Sequence, residues 1–224
     1  MGELILVRHG QADFDGDEYD RLTELGRQQA AWLGAHLAES SVVPAAIYAG
    51  QLRRQQDTAA EIASVCGTDV STLAGLEEYD ADALLAASSS AFGAGADAAA
   101  GRPTDRAAHF RLLRQVLASW ADGTLHPVPE SFAGFRSRTA AALETLAGQT
   151  AAGPVLAVTS GGVIAAMLAA VLDLSPARLF DLNLQMRNTG VTRLITGRSG
   201  VYLNQFNAVP HLDRPDRSRA ITYS

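Results

Sequence analysis

The stretch Leu4-Ile5-Leu6-Val7-Arg8-His9-Gly10 decides how this chain is read. Four successive aliphatic residues without polar alternation predict a strand buried on both faces, the kind found inside a parallel sheet. In open α/β sheets the carboxyl ends of the strands line the crevice where ligands bind, so this strand delivers Arg8 and His9 there on a rigid support. Gly10 lets the backbone turn sharply and a ligand approach closely.

Outward from that strand, residues 11–21 are rich in Asp and Gly and read as a loop over the crevice. Thr23 reads as the N-cap of a helix ending near Ser40, with Ala30, Ala31, Leu33, Ala35 and Leu37 on one apolar face. Pro44 precedes a short strand over 45–48. Gly50 then leads into a second helix over about 52–66, with Ala59, Ile62, Ala63 and Cys66 inward. This β-α-β-α order is the mark of a parallel sheet with right-handed crossovers.

A third strand is predicted over 70–76, followed by Glu77-Glu78-Tyr79-Asp80. Residues 86–101 are almost entirely Ala, Ser and Gly, a composition read here as a mobile loop inside an inserted helical cap. Gly93-Ala94-Gly95 with Ala98 matches a dinucleotide-binding pattern loosely, but no strand precedes it, so no nucleotide site is assigned. Helices over 106–121 and 132–149 follow. Then come a strand over 155–159, a helix over 162–172, a short helix from Pro176, strands over 189–195 and 201–206, and a polar tail carrying His211.

The 224 residues suffice for one sizeable α/β domain, and 47% hydrophobic with 19% charged residues is an ordinary globular mixture. A net charge of -6 argues against a nucleic-acid surface, and an anionic substrate has to be held by local arginines against that field. The single cysteine, Cys66, cannot form an intrachain disulfide, which fits a reducing cytoplasm. Met1-Gly2-Glu3 has no basic region or cleavage site of a signal peptide, and Leu6 stands where myristoylation expects Ser or Thr. The uncharged span 154–172 is broken by Thr159-Ser160-Gly161-Gly162, so it reads as strand, turn and buried helix rather than a membrane span.

Arg8-His9-Gly10 after a first buried strand resembles the histidine phosphatase superfamily, the phosphoglycerate mutase-like proteins. The resemblance implies that His9 takes up a phosphoryl group as phosphohistidine and that Arg8 binds the phosphate. Leu52-Arg53-Arg54-Gln55-Gln56-Asp57-Thr58-Ala59 is similar to the superfamily's Leu-x-Arg-Ala-x-x-Thr-Ala element, which implies a second phosphate arginine at Arg54 and leaves Arg53 as a solvated basic turn. Gln55 stands where that pattern has Ala and reads as a minor departure. Leu76-Glu77-Glu78 resembles the family's Leu-x-Glu, which implies Glu78 as proton donor with Glu77 as the fallback. Glu130-Ser131 with Arg138 looks like the superfamily's later helix.

The chain departs from the pattern at Val155-Leu156-Ala157-Val158-Thr159-Ser160-Gly161-Gly162. It matches a strand ending in His-Gly-Gly, but Ser160 stands in place of the second histidine. Ser160 and Gly161 are then expected to bind phosphate without a cation, and loss of one preorganised donor can cost about 10²-fold in rate. His211 is a possible accessory if the tail folds back toward the crevice, although a lone tail histidine is more often a surface residue. Asp15 is a further departure, at a position where mutase-type relatives carry a phosphate-binding Asn.

The expected fold is an α/β three-layer sandwich with a mainly parallel central sheet, helices on both faces and a small helical cap inserted at about 79–132. One domain spans 1–224. The expected function is a cytoplasmic phosphatase acting on a small phosphomonoester without metal or other cofactor. Its partners are a small phosphorylated substrate or inorganic phosphate, with no nucleic acid or membrane. Two alternatives stand beside it. One is a catalytically weakened phosphate-ester-binding protein of the same superfamily. The other is a serine hydrolase in which Ser160 forms a nucleophile elbow with Asp173 or Asp181 and His211, although Val158 replaces that elbow's first glycine.

Overall fold

Burial on both faces puts the first strand in the middle of the molecule. In the computed structural model, which describes residues 1–13, 20–91 and 106–223, β1 (Gly2–Arg8) is a central strand of a six-stranded sheet ordered β3-β2-β4-β1-β5-β6. Strands β2 (Ala46–Ala49), β3 (Val70–Thr72) and β4 (Val155–Thr159) complete a parallel block with β1. Strands β5 (Val191–Gly197) and β6 (Gly200–Ala208) run antiparallel at the other edge. The fold is α/β and mainly parallel, as the alternation of elements implies.

The side chains of β1 alternate between two cores. Ile5 and Val7 pack with Leu33 and Leu37 of α1 (Glu24–Glu39) and with Ala59 and Ile62 of α2 (Arg53–Cys66). Leu4 and Leu6 face the larger core, built from α5 (Phe132–Gln149) and α6 (Gly161–Leu172). Also on that side are α3 (Ala81–Ala91), α4 (Arg106–Ala121) and α7 (Pro176–Asn183). Tyr79, Trp120, Phe132, Phe135 and Phe180 form a chain of tilted and edge-to-face rings there, with centroids 5.2–5.6 Å apart. Adjacent strands β1 and β4 send their chains to opposite faces of the sheet, α1 on one and α6 on the other. That divergence opens the crevice at their carboxyl ends.

Local signals set the helix starts. Thr23 caps α1 by accepting the Gly26 N–H at 3.0 Å, and Ser131 caps α5 through Gly134 at 3.1 Å. Two expectations are corrected. The third strand stops at Thr72, because Gly75 adopts φ +94° and turns the chain before Leu76. Residues 86–91, expected in a loop, belong to helix α3, where Leu84, Ala87 and Ser88 are buried. Alanine's helix propensity outweighed the linker-like composition. The rest of that expected loop, with Gly93, Gly95 and Ala98, lies outside the described residues, as does Asp15.

The segment after β6 packs back onto α1. Val209, Leu212 and Ala220 form a small core with Leu25, Trp32 and Ile221, and the Arg217 guanidinium lies 4.5 Å from the Trp32 ring centroid. Gln29 of α1 donates to the Ala220 carbonyl at 2.7 Å and to Thr222 at 2.9 Å. Among the described residues no helix is long and apolar enough to cross a membrane.

Candidate functional site

The register Arg8↔Thr159 brings the ends of β1 and β4 level, and the His9 N–H donates to the Thr159 carbonyl at 2.9 Å. His9 and Ser160 therefore leave adjacent strands side by side. The Arg8 side chain is 8% exposed and donates through Nη1 to the Met186 carbonyl at 2.7 Å.

His9 is held from several directions. Its Nδ1 lies 2.7 Å from the Gly10 carbonyl, which can only accept, so Nδ1 carries the proton and Nε2 keeps its lone pair. The Arg54 Nε–H points at that lone pair from 3.2 Å. The main-chain carbonyl of His9 accepts from Asn188 Nδ2 at 3.2 Å and from the Thr189 N–H at 3.3 Å. Burial, followed by the charges of Arg54 and Arg8, holds the imidazole well below its usual titration range, so the ring is neutral. Gly10 is needed for close approach rather than for a sharp turn. A β-carbon there would run into the backbone of Gly26 on α1. The Gly10 N–H donates to Thr58 Oγ1, which donates in turn to the Arg54 carbonyl, tying α2 to the histidine loop.

Arg54 sits in the first turn of α2, 8% exposed. Its Nη1 pairs with Asp20 at 2.7 Å, and the same carboxylate accepts the Arg53 N–H at 2.6 Å. An anion thus already rests on this helix N-terminus, where the dipole and the outward-facing main-chain N–H groups favour one. Asp20 was not singled out from sequence, since an Asp in an Asp-rich loop carries no local signal. Arg53 is half-exposed and faces Asp57, as a solvated turn would.

Glu78 is brought to the same group. Its carboxylate accepts the Gly162 N–H of α6 at 2.8 Å and the Tyr79 N–H at 3.1 Å. Burial pushes the carboxyl above its usual range, opposed by the Gly162 N–H, the charge of Arg54, the Tyr79 N–H and the charge of Arg8. Gly162 makes the contact possible, because a β-carbon there would collide with Glu78 and the Tyr79 ring. Glu77 turns away and accepts from Gly75 N at 2.8 Å and Gln51 N at 3.3 Å. Arg138 braces this turn from α5. It grips Glu130 with two bonds of 2.7 and 2.9 Å and donates to the carbonyls of Glu77 and Gly75.

Ser160 is 1% exposed and receives a hydrogen bond from Gln55 Nε2 at 2.8 Å. Gly161 opens α6 with Asn183 and Met186 against its α-carbon. His211 is not brought into this group. It is 1% exposed, contrary to the expectation of a surface residue, and bonds through Nε2 to Thr189 Oγ1 at 2.8 Å. The Thr189 hydroxyl proton goes to the Asn188 carbonyl, so His211 is the donor in that pair. Burial depresses its pKa to about 3, helped by His36 and Arg217.

The serine-hydrolase alternative is overturned by this geometry. Ser160 bonds Gln55 rather than a histidine. Asp173 caps the far end of the 12-residue helix α6, ~18 Å away at 1.5 Å per residue. Asp181 pairs with Arg114 and Arg178 on the surface. Among the described residues no cluster of His, Cys, Asp or Glu is arranged to hold a metal ion. Two buried arginines, a neutral imidazole whose Nε2 is unprotonated and a buried carboxyl of raised pKa can bind an oxyanion, attack it and donate a proton.

The family model described as histidine phosphatase superfamily (branch 1) matches residues 4–209. No curated protein matches the sequence. Among solved structures, a mycobacterial glucosyl-3-phosphoglycerate phosphatase in complex with inorganic phosphate is 27% identical, with a TM-score of 0.65 over 93% of this chain and 98% of that one. A mutant phosphoserine phosphatase from Entamoeba histolytica in complex with phosphoserine is 22% identical, with a TM-score of 0.66 over 95% of this chain and 100% of that one. YhfR of Bacillus stearothermophilus is 23% identical, with a TM-score of 0.70 over 93% of this chain and 98% of that one. The last two are likenesses of fold.

Proposed function

The chain belongs to the histidine phosphatase superfamily (branch 1), and from that membership we propose that it hydrolyses a small phosphomonoester through a phosphohistidine on His9. The observation that carries the reading is the state of His9. Its Nδ1 proton is committed to the Gly10 carbonyl, so its Nε2 is unprotonated and accepts the Arg54 Nε–H, a bond that has to yield when Nε2 attacks.

In the first step Nε2 attacks phosphorus and the ester P–O bond breaks. Glu78 gives its proton to the departing oxygen, a role favoured by the burial that raises its pKa. Arg8, Arg54, the Ser160 hydroxyl and the Gly161 backbone hold the non-bridging oxygens. In the second step the Glu78 carboxylate takes a proton from a water that attacks phosphorus. The P–N bond then breaks, inorganic phosphate leaves and His9 is neutral again. The phosphate complex of the mycobacterial relative supports a phosphate-sized site, and no step calls for a metal or other cofactor.

The test is hydrolysis of an aryl phosphate between about pH 5 and 8, with acid-quenched samples assayed for acid-labile phosphate on the protein. Turnover and labelling in wild type that both vanish in His9→Ala are the expected result. Tight binding of inorganic phosphate with neither turnover nor label overturns it in favour of a phosphate-ester-binding protein weakened at Ser160.

A further inference from the structure

Two of the positions at which the chain departs from the superfamily's motifs, Gln55 and Ser160, touch each other. Gln55, in the first turn of α2, is fully buried, and its amide nitrogen donates both to Ser160 Oγ at 2.8 Å and to the Leu76 carbonyl at 2.9 Å. The Leu76 contact fixes the orientation of the amide. A carbonyl only accepts, so the atom facing it is nitrogen, and the amide oxygen lies on the other side against Gly50. Both amide protons are thereby used. The Leu76 carbonyl also receives the Thr159 hydroxyl at 2.6 Å, which occupies its second lone pair.

The Ser160 oxygen is therefore an acceptor toward Gln55, and its own proton has to be given elsewhere. Ser160 stands at the N-cap of α6, yet its side chain accepts no N–H of that helix. Glu78 takes the Gly162 N–H instead, so the serine hydroxyl is released from capping. A second observation comes from the other end of the Gln55 amide. Its Oε1 is buried without a hydrogen-bond partner. An amide that meets only part of its bonding capacity in a dry site weakens a fold relative to an apolar side chain of the same size, so stability does not account for glutamine here.

We propose that Gln55 is a positioning residue for phosphoryl transfer, holding Ser160 Oγ as an acceptor so that the serine proton is donated to a phosphoryl oxygen at His9. The bond received from Gln55 polarises the hydroxyl and makes it a stronger donor. The pair thus supplies one directed donor where the superfamily's pattern has a histidine. This rests on the reading of His9 as phosphoryl acceptor.

The experiment is a double-mutant cycle in the full chain. Gln55→Met removes both amide protons at similar volume, and Ser160→Ala removes the hydroxyl. The readouts are kcat and KM for an aryl phosphate and, independently of turnover, affinity for orthovanadate, with a urea midpoint for each variant. Gln55→Met should lower kcat about tenfold or more and weaken vanadate in parallel, with a smaller change in KM. In the Ser160→Ala background it should cost less than about twofold further, because it acts through the hydroxyl. Equal losses in both backgrounds, or unchanged kcat and vanadate affinity in Gln55→Met, overturn the proposal. Gln55→Leu carries the same test if the methionine variant does not fold. Turnover surviving in His9→Ala would sink the phosphohistidine reading alone, while the vanadate cycle still decides the role of Gln55.

Discussion

Replacing Glu78 by Gln separates proton donation from shape. The amide keeps the size of the carboxyl and can accept the Gly162 N–H now held at 2.8 Å, but it has no acidic proton to transfer. General acid catalysis by a positioned group contributes about 10²- to 10⁴-fold, or ~3–5 kcal/mol of barrier. That loss applies only where the leaving oxygen needs the proton. An alkyl phosphate expels a basic alkoxide and should lose the full factor in kcat, whereas p-nitrophenyl phosphate expels a stable phenolate and should lose less than about tenfold. The two substrates are assayed side by side in both proteins. Equal losses on both would refute the assignment and leave Glu78 as the brace of the α6 N-terminus. Stability gives a second readout. Burial raises the folded pKa of Glu78 above its unfolded value, so its contribution is complete below the unfolded pKa and is lost as pH rises through the folded one. Relative to wild type, Glu78→Gln should therefore gain in urea midpoint as the solution becomes more alkaline, and parallel curves would contradict the buried carboxyl.

Other outcomes follow from the same geometry. Because His9 is neutral well below the usual imidazole range, kcat/KM corrected for substrate ionisation should stay flat as pH falls past the ordinary value of 6.5, and a break there would contradict it. Arg54→Lys keeps the charge but loses the planar fork that reaches both His9 and Asp20, and should cost about 10- to 150-fold in kcat/KM, the worth of one charge-assisted bond. His211, with a pKa of about 3, stabilises the fold above pH 6.5 and loses up to about 5 kcal/mol between there and pH 3. The stability difference between wild type and His211→Asn should shrink across that window in an acid titration. Ser160→His should destabilise by about 1–3 kcal/mol, since Ser160 and Gln55 are both buried and in contact, and adding Gln55→Ala should restore the urea midpoint.

The apolar run of β1 and the alternation of elements were enough to read the sheet and the strand end where His9 emerges, because burial on both faces leaves a direct mark in sequence. Arg8, His9, Arg54 and Ser160 stand at a strand end or open a helix, positions marked by local pattern, whereas Glu78, in the turn between Thr72 and Ala81, is marked only by the resemblance to Leu-x-Glu. Their roles remain the proposal made above. What sequence did not expose was pairing across the fold. Asp20 on the α2 N-terminus and Asn188 on the His9 carbonyl act from residues distant in sequence, and a polar side chain in a loop has no periodicity to betray its partner. Gln55 read as a minor departure for the same reason. Its weight comes from Ser160, 105 residues away. The helix over 86–91 was hidden by low complexity, where alanine's linker and helix associations conflict.

The central position of β1 has a consequence for synthesis. The strand that leads to His9 is made before the other strands of the sheet, yet its neighbours are Val155–Thr159 and Val191–Gly197, more than 140 residues later. The His9 carbonyl waits longer still. Asn188 donates to it while also receiving the Thr222 hydroxyl and giving its own N–H to the Thr222 carbonyl. Domains that fold during translation do so as their contacts emerge. Here the contacts join residues 2–9 to residues 155–159, 188–196 and 222, so β1 has no neighbouring strand to pair with until those segments are made. His9 is thus made well before Asn188 and Thr222, the residues that fix its carbonyl.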